Sequence, residues 1–157
     1  MRGIKKIGLL GALSVCVLLC IYGYFLLWGI SESFVIEGPE IAHMRWPILI
    51  GCYIMLTGAV VALLLGIKSA MKSEQEIFSR STIKCLGWMG RSLSISTVAI
   101  VAVYIYAWIQ LGSEVGLMGA YLFIFVLLFF TASSVLFFIR DLFARAVEFH
   151  DENELTV

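Results

Sequence analysis

Apolar residues are collected along this chain into four long runs, and the charged residues lie in the stretches between and beyond them. No Asp, Glu, Lys or Arg occurs in four runs of 22 to 25 residues, at 7–31, 46–67, 92–113 and 115–139. About 20 helical residues cross a hydrocarbon core about 30 Å thick, whereas membrane strands need about ten residues and alternate apolar with polar positions. The pattern therefore predicts four transmembrane helices, at about residues 7–30, 47–67, 92–111 and 116–139.

The composition agrees with a membrane protein. Apolar residues make up 61% of the chain and charged residues 14%, against about 25% charged in a typical soluble domain. A cleaved signal peptide has an apolar stretch of about 7–15 residues ending in a small-residue site, so we interpret the longer first run as an anchor. The predicted fold class is an all-α integral membrane four-helix bundle, with one membrane domain over residues 1–157.

The basic residues are distributed unequally about the predicted helices. Only Arg45 lies on one side, in the stretch between the first two helices. The other ten precede helix one, lie in the loop 68–91 or follow helix four: Arg2, Lys5, Lys6, Lys68, Lys72, Arg80, Lys84, Arg91, Arg140 and Arg145. Because Lys and Arg are enriched in cytoplasmic segments, both termini, the loop 68–91 and the tail 140–157 are predicted to be cytoplasmic. The expected localisation is the cell membrane, as a multi-pass protein.

Small residues recur every four positions on two of the predicted helices. Gly58, Ala62 and Gly66 form such a series on helix two, and Ser92 and Ser96 repeat it on helix three. This spacing allows close helix packing in membranes, so these five residues are candidate helix-packing positions. The contacts could lie within one bundle or between copies in a homo-oligomer.

Few residues suggest chemistry. The four cysteines fall at different depths, and His43 and His150 are predicted on opposite sides of the membrane, so no metal or cofactor site is expected. No catalytic constellation is visible, and an enzyme is not expected. The spans lack the ionisable residues that mark proton paths. Helix three does carry a series of polar residues that could line a cavity: Ser94, Ser96, Thr97, Tyr104, Tyr106 and Gln110.

Two cytoplasmic segments have distinctive sequences. Ser79 or Ser81 is suited to cap a helix that starts before the third apolar run, and Phe78 could pack against its first turn. Beyond helix four, apolar residues at helical spacing (Leu142, Phe143, Ala146, Val147 and Phe149) predict that this helix continues past the membrane. The chain then ends in an acidic stretch and a Leu-Thr-Val sequence, which we expect to be frayed.

These segments resemble a family of small bacterial four-span membrane proteins of unknown function. The resemblance is carried by Ile-Phe-Ser-Arg-Ser-Thr at 77–82, Leu-Gly-Trp-Met-Gly at 86–90 and Asp-Glu-Asn-Glu-Leu-Thr-Val at 151–157. Family members typically end in Glu-Asn-Asp-Leu-Thr-Val and are often encoded beside a helix-turn-helix regulator; here Glu154 replaces the Asp. The resemblance implies a bacterial membrane protein linked to transcriptional control.

The sequence and the family resemblance leave three alternative functions open. The first is a signalling partner of a cytosolic regulator protein, which would not itself bind nucleic acid. Its candidate partner-binding residues are Phe78, Ser79, Glu152, Asn153, Glu154, Leu155, Thr156 and Val157. The second is a small-molecule transporter or an immunity-type protein, using the polar residues of helix three. The third is an accessory subunit of a larger membrane complex.

Overall fold

The described part of the chain is almost entirely helical. The computed structural model describes residues 2–72, 79–112 and 116–154. These residues form four long helices, named here α1 (Arg2–Glu37), α2 (Arg45–Ala70), α3 (Arg80–Leu111) and α4 (Gly116–Glu154), and a 3-10 helix, Pro39–Met44, joins α1 to α2. Each long helix provides an apolar stretch that can cross a membrane: Lys6–Ser33, Arg80–Leu111, Gly119–Phe149, and, for α2 together with the 3-10 helix, Pro39–Ala70. The predicted all-α four-helix membrane fold is confirmed.

Two helices extend well beyond the predicted spans. The first, α3, begins at Arg80, and the extended backbone of Ser79 (φ −98°, ψ 152°) occupies the cap position without a side-chain capping bond. The second, α4, remains helical to Glu154, so the acidic stretch expected to fray is part of the helix as far as that residue. Both extensions follow from amphipathic sequence, since polar side chains reach water or headgroups while apolar ones keep helical spacing.

The helices pack in chain order. Within the described residues, the packed pairs are α1 with α2, α2 with α3 and α3 with α4, and α1 touches α4 marginally at most. The apolar core is correspondingly small and is concentrated around α2 and α3: Met44, Leu49, Ala62, Ile100, Val103, Ala107 and Phe129. Many large apolar side chains on α1 and α4 are more than half exposed. This surface requires lipid as its solvent.

The α2–α3 interface is built on small residues. Ser92 Oγ donates a hydrogen bond to the Gly58 carbonyl (2.7 Å), and Ser96 Oγ donates to the Met55 carbonyl (3.1 Å). A Cβ atom at Gly58 would overlap Ser96 Oγ. The absence of a side chain at Gly58 therefore lets the two backbones approach closely enough for serine hydroxyls to bond across the interface.

The same device holds α3 against α4. Ser133 Oγ donates to the Gly90 carbonyl (2.9 Å) and lies 2.8 Å from Ser94 Oγ. A Cβ atom at Gly90 would come within 3.0 Å of the Phe137 ring. A glycine on α3 thus admits both the hydroxyl and the ring from α4.

Three chain segments meet at one end of the bundle, which we call the Lys6 end. Lys6 Nζ on α1 donates to the carbonyls of Met71 (3.3 Å) and Lys72 (2.9 Å), just after α2. Lys72 Nζ in turn donates to Ser81 Oγ (2.9 Å) and Thr82 Oγ1 (3.2 Å) at the start of α3. These bonds satisfy carbonyls at the end of α2 and place its negative dipole end beside an ammonium group.

Candidate functional site

An apolar cavity of about 620 Å³ lies among the four helices. It exists because, among the described residues, α1 and α4 touch marginally at most, so a space remains between them that all four helices line. Small-molecule sites typically measure roughly 300–1,000 Å³. The described lining residues carry no charge: Gly23, Leu26, Leu27, Ile30, Gly51, Cys52, Met55, Leu56, Ile100, Val103, Tyr121, Leu122 and Phe125.

All of these residues lie in the half of the bundle opposite the Lys6 end. On α1 they belong to its C-terminal half, on α2 to its N-terminal half, and on α4 to its first turns. We call this the Arg45 end, after the residue that begins α2. The cavity is therefore confined to one half of the membrane-spanning region.

A second cavity, of about 220 Å³, lies next to the first on the side of the Arg45 end. It shares Leu27, Ile30 and Cys52 with the larger cavity. Its lining also includes two polar residues, Ser31 and Arg45, at the Arg45 end. Together the two cavities form what we call the Arg45 groove, which is apolar along its length and basic at one end.

The guanidinium of Arg45 lies against two aromatic rings, which also contact each other edge-to-face with centroids 6.5 Å apart. Its Cζ lies 5.1 Å from the Trp28 ring centroid and 5.6 Å from that of Trp46, and its Nε donates to Ser31 Oγ (3.3 Å). Arg45 Nη2 is 3.8 Å from Glu32 Oε1; the arginine side chain is 19% exposed and the glutamate 54%. Cation–π contacts of this kind fix a guanidinium without using its N–H donors.

Four hydroxyl side chains of α3 bond to other groups of the bundle. Ser92, Ser94, Ser96 and Thr97 all donate to or bond with groups of the bundle itself, including carbonyls on α2 and α3. None of these four residues lines either described cavity. The hydroxyls of Ser92, Ser94 and Ser96 bond across helix–helix contacts, whereas Thr97 Oγ1 donates to the Leu93 carbonyl within α3.

The helix-packing candidates lie at two interfaces. Gly58, Ser92 and Ser96 come together between α2 and α3, and Ala62 is buried at 5% exposure. A Cβ atom at Gly66 would lie 3.5 Å from Met89 Cε and 4.0 Å from Leu13, so Gly66 faces both α3 and α1.

The partner-binding candidates are only partly described. Ser79 caps α3, and its Oγ lies 3.4 Å from Thr82 Oγ1. Glu152, Asn153 and Glu154 continue the helical backbone of α4. Phe78, Leu155, Thr156 and Val157 lie outside the described residues.

The candidate titratable groups stay apart. The four cysteines carry free thiols, and His43 Nδ1 donates to the Glu40 carbonyl (3.2 Å) within its own 3-10 helix. Across the part of the chain that the structure describes, no group of three or more His, Cys, Asp or Glu side chains converges as metal ligands.

Sequence reasoning missed two packing glycines and the Arg45 groove. Gly51 lies seven residues before Gly58, two helical turns earlier on the same face, and a Cβ atom there would overlap Val103. Gly90 and Ser94 repeat the four-residue spacing on α3. A search at heptad spacing from Gly58 would have found Gly51, and a four-residue search along the whole of α3 would have found Gly90 and Ser94. The groove residues give no such signal, because lipid-facing and cavity-facing apolar residues look alike in a sequence.

The fold defines a multi-pass membrane protein. A model of a protein family matches residues 33–157, and the chain belongs to that family, described as a protein of unknown function (DUF2975). No curated protein matches the chain, and no solved structure does.

Proposed function

We propose that this protein is a regulatory partner, in the bacterial cell membrane, of a cytosolic helix-turn-helix regulator. The observation that carries the proposal is the continuity of α4, one helix from Gly116 to Glu154. Its first turns line the Arg45 groove through Tyr121 and Phe125, and its last turns extend past Arg140. A helix of 39 residues is about 58 Å long, whereas the hydrocarbon core is about 30 Å thick.

The proposed orientation supports this role. With ten of eleven basic residues at the Lys6 end or beyond it, that end faces the cytoplasm by the positive-inside rule. The extension of α4 then projects into the cytosol. Leu142 and Phe149 are largely exposed there, and the chain ends in the acidic residues Asp151, Glu152 and Glu154. An exposed apolar stripe next to an acidic end suits docking on a basic protein surface.

The tail is tested by replacing residues 151–157 with a Gly-Ser sequence of equal length. The matched control appends the same Gly-Ser sequence after Val157. We expect the replacement to cause the same transcriptional change as deletion of the gene. It should also end co-purification with the helix-turn-helix regulator that the family resemblance leads us to expect from a neighbouring gene. The control should behave as wild type.

Two results would contradict the proposal. If the strain lacking the gene transcribes the regulator's targets as wild type does, a regulatory role is wrong. If that strain differs from wild type but the replacement does not, the role of the tail is wrong.

A further inference from the structure

We propose that the Arg45 groove binds one anionic glycerophospholipid from the leaflet at the Arg45 end, with an acyl chain in the apolar cavity and the phosphate at Arg45. This inference stands independently of the regulatory role. It rests on the three residues that line both cavities, the position of the guanidinium and the length of the groove.

The charge at the head of the groove fits a phosphate. Arg45 is the one basic residue that the sequence places on that side of the membrane, and it lies on the boundary of the smaller cavity. Its Nε bonds to Ser31 Oγ, and its Nη2 forms a long ion pair with Glu32 Oε1 (3.8 Å). The Glu32 side chain is 54% exposed, so a phosphate competes with a solvated carboxylate that makes no hydrogen bond to the guanidinium at this distance. Guanidinium groups bind phosphate through paired N–H donors, and these donors are positioned by the flanking Trp28 and Trp46 rings.

The apolar part of the groove fits an acyl chain in length and depth. From Arg45 to Leu56, the groove follows α2 for about 16 Å at 1.5 Å per residue. Half of a 30 Å hydrocarbon core is about 15 Å. Trp28 and Trp46 mark the headgroup level, where amphipathic rings collect. A groove that starts at that level and ends near the bilayer centre has the dimensions of one leaflet's chain.

The route into the groove also favours a lipid. Because α1 and α4 lack an extensive contact, the cavity lies between two helices that are otherwise surrounded by lipid. A membrane lipid reaches it by lateral diffusion, whereas a small water-soluble anion gains nothing from the apolar lining.

The test is native mass spectrometry of the purified full chain titrated with phosphatidylglycerol or with phosphatidylcholine of identical acyl chains. We expect one tightly held phosphatidylglycerol, bound about tenfold more strongly than phosphatidylcholine. Both lipids carry the phosphate, but the choline cation offsets its charge and is repelled by the Arg45 guanidinium, whereas the glycerol headgroup carries no cation. Arg45→Gln should abolish the preference, and Arg45→Lys should retain part of it. Gly23→Phe should weaken both lipids, since it fills the groove beside Leu56.

The matched control is Gly29→Phe on the same helix, where no atom lies within 4 Å of the added Cβ; it should bind both lipids as wild type does. Equal binding of the two lipids by wild type, or an unchanged preference in Arg45→Gln, would overturn the proposal. Displacement of the bound lipid by millimolar inorganic phosphate would overturn it in favour of a free-anion site. If Arg45→Gln does not fold, the comparison of Gly23→Phe with Gly29→Phe decides whether the lipid occupies the groove.

Discussion

Gly58→Ala should destabilise the bundle by several kcal/mol although it adds one methyl group. The new Cβ would overlap Ser96 Oγ and would lie 2.9 Å from the Ser92 carbonyl oxygen. Ser96 is fully buried, so its hydroxyl cannot move into lipid. The carbonyl belongs to the α3 backbone, so α2 and α3 must separate to accommodate the methyl group.

The expected magnitude follows from two contributions. Separation weakens the bonds from Ser92 to Gly58 and from Ser96 to Met55, each worth about 0.6 kcal/mol in a membrane. Overpacking of a close interface costs about 1–3 kcal/mol. The free energy of unfolding should therefore fall by about 2–4 kcal/mol.

Reversible unfolding in mixed micelles, followed by circular dichroism, measures this change. Gly11→Ala on α1 is the control, because a Cβ there meets no atom within 4 Å; it should be neutral. Ser96→Ala combined with Gly58→Ala should destabilise less than the sum of the single changes, since it removes the overlapping oxygen. The reasoning is refuted if the Gly58→Ala and Gly11→Ala proteins have the same free energy of unfolding.

Two further predictions concern α3 and the orientation. Gly90→Val should lower the free energy of unfolding more than Gly87→Val in the same assay. An added Cβ atom would lie 3.0 Å from the Phe137 ring at Gly90, but 3.4 Å from the flexible Arg140 side chain at Gly87. Equal effects of the two changes would contradict the close α3–α4 contact at Gly90. Because the C-terminus is expected to be cytoplasmic, alkaline phosphatase fused after Val157 should be inactive, and a fluorescent protein fused there should be bright. The opposite pattern would show that the orientation is reversed.

The number of helices could be predicted from the sequence because lipid imposes a simple constraint. Every backbone group must bond within its own helix, and a charged residue in the core is expensive, so spans appear as long charge-free runs. The extensions beyond the spans could be predicted from the serines suited to cap α3 and from the apolar stripe past Arg140, but the helical backbone at 151–154 could not. Arg80 begins α3 and Glu154 ends α4 because amphipathic turns remain helical outside the hydrocarbon core, where charge no longer marks a boundary.

The role of Arg45 could not be predicted, because it depends on which helices pack together. In the sequence it is a single basic residue in a short loop. In the structure it lies against rings from two helices and at one end of a groove. That groove follows from the weak contact of α1 with α4, and no local pattern of apolar residues encodes a missing contact.

The way in which α1 is attached explains why the groove is there. Across α2, α3 and α4, glycines such as Gly58 and Gly90 bring the backbones together and leave little room between them. Between α1 and α2, the glycines Gly23 and Gly66 face leucine side chains rather than the other helix's backbone. The contacts there use long side chains: the Tyr24 hydroxyl bonds to Thr57 (2.7 Å), and the rings of Tyr24 and Tyr53 lie 5.2 Å apart. Helices held by large side chains stand further apart. Because α2, α3 and α4 pack tightly while α1 is held by longer side chains, an apolar volume remains beside α1, and lipid is available to fill it.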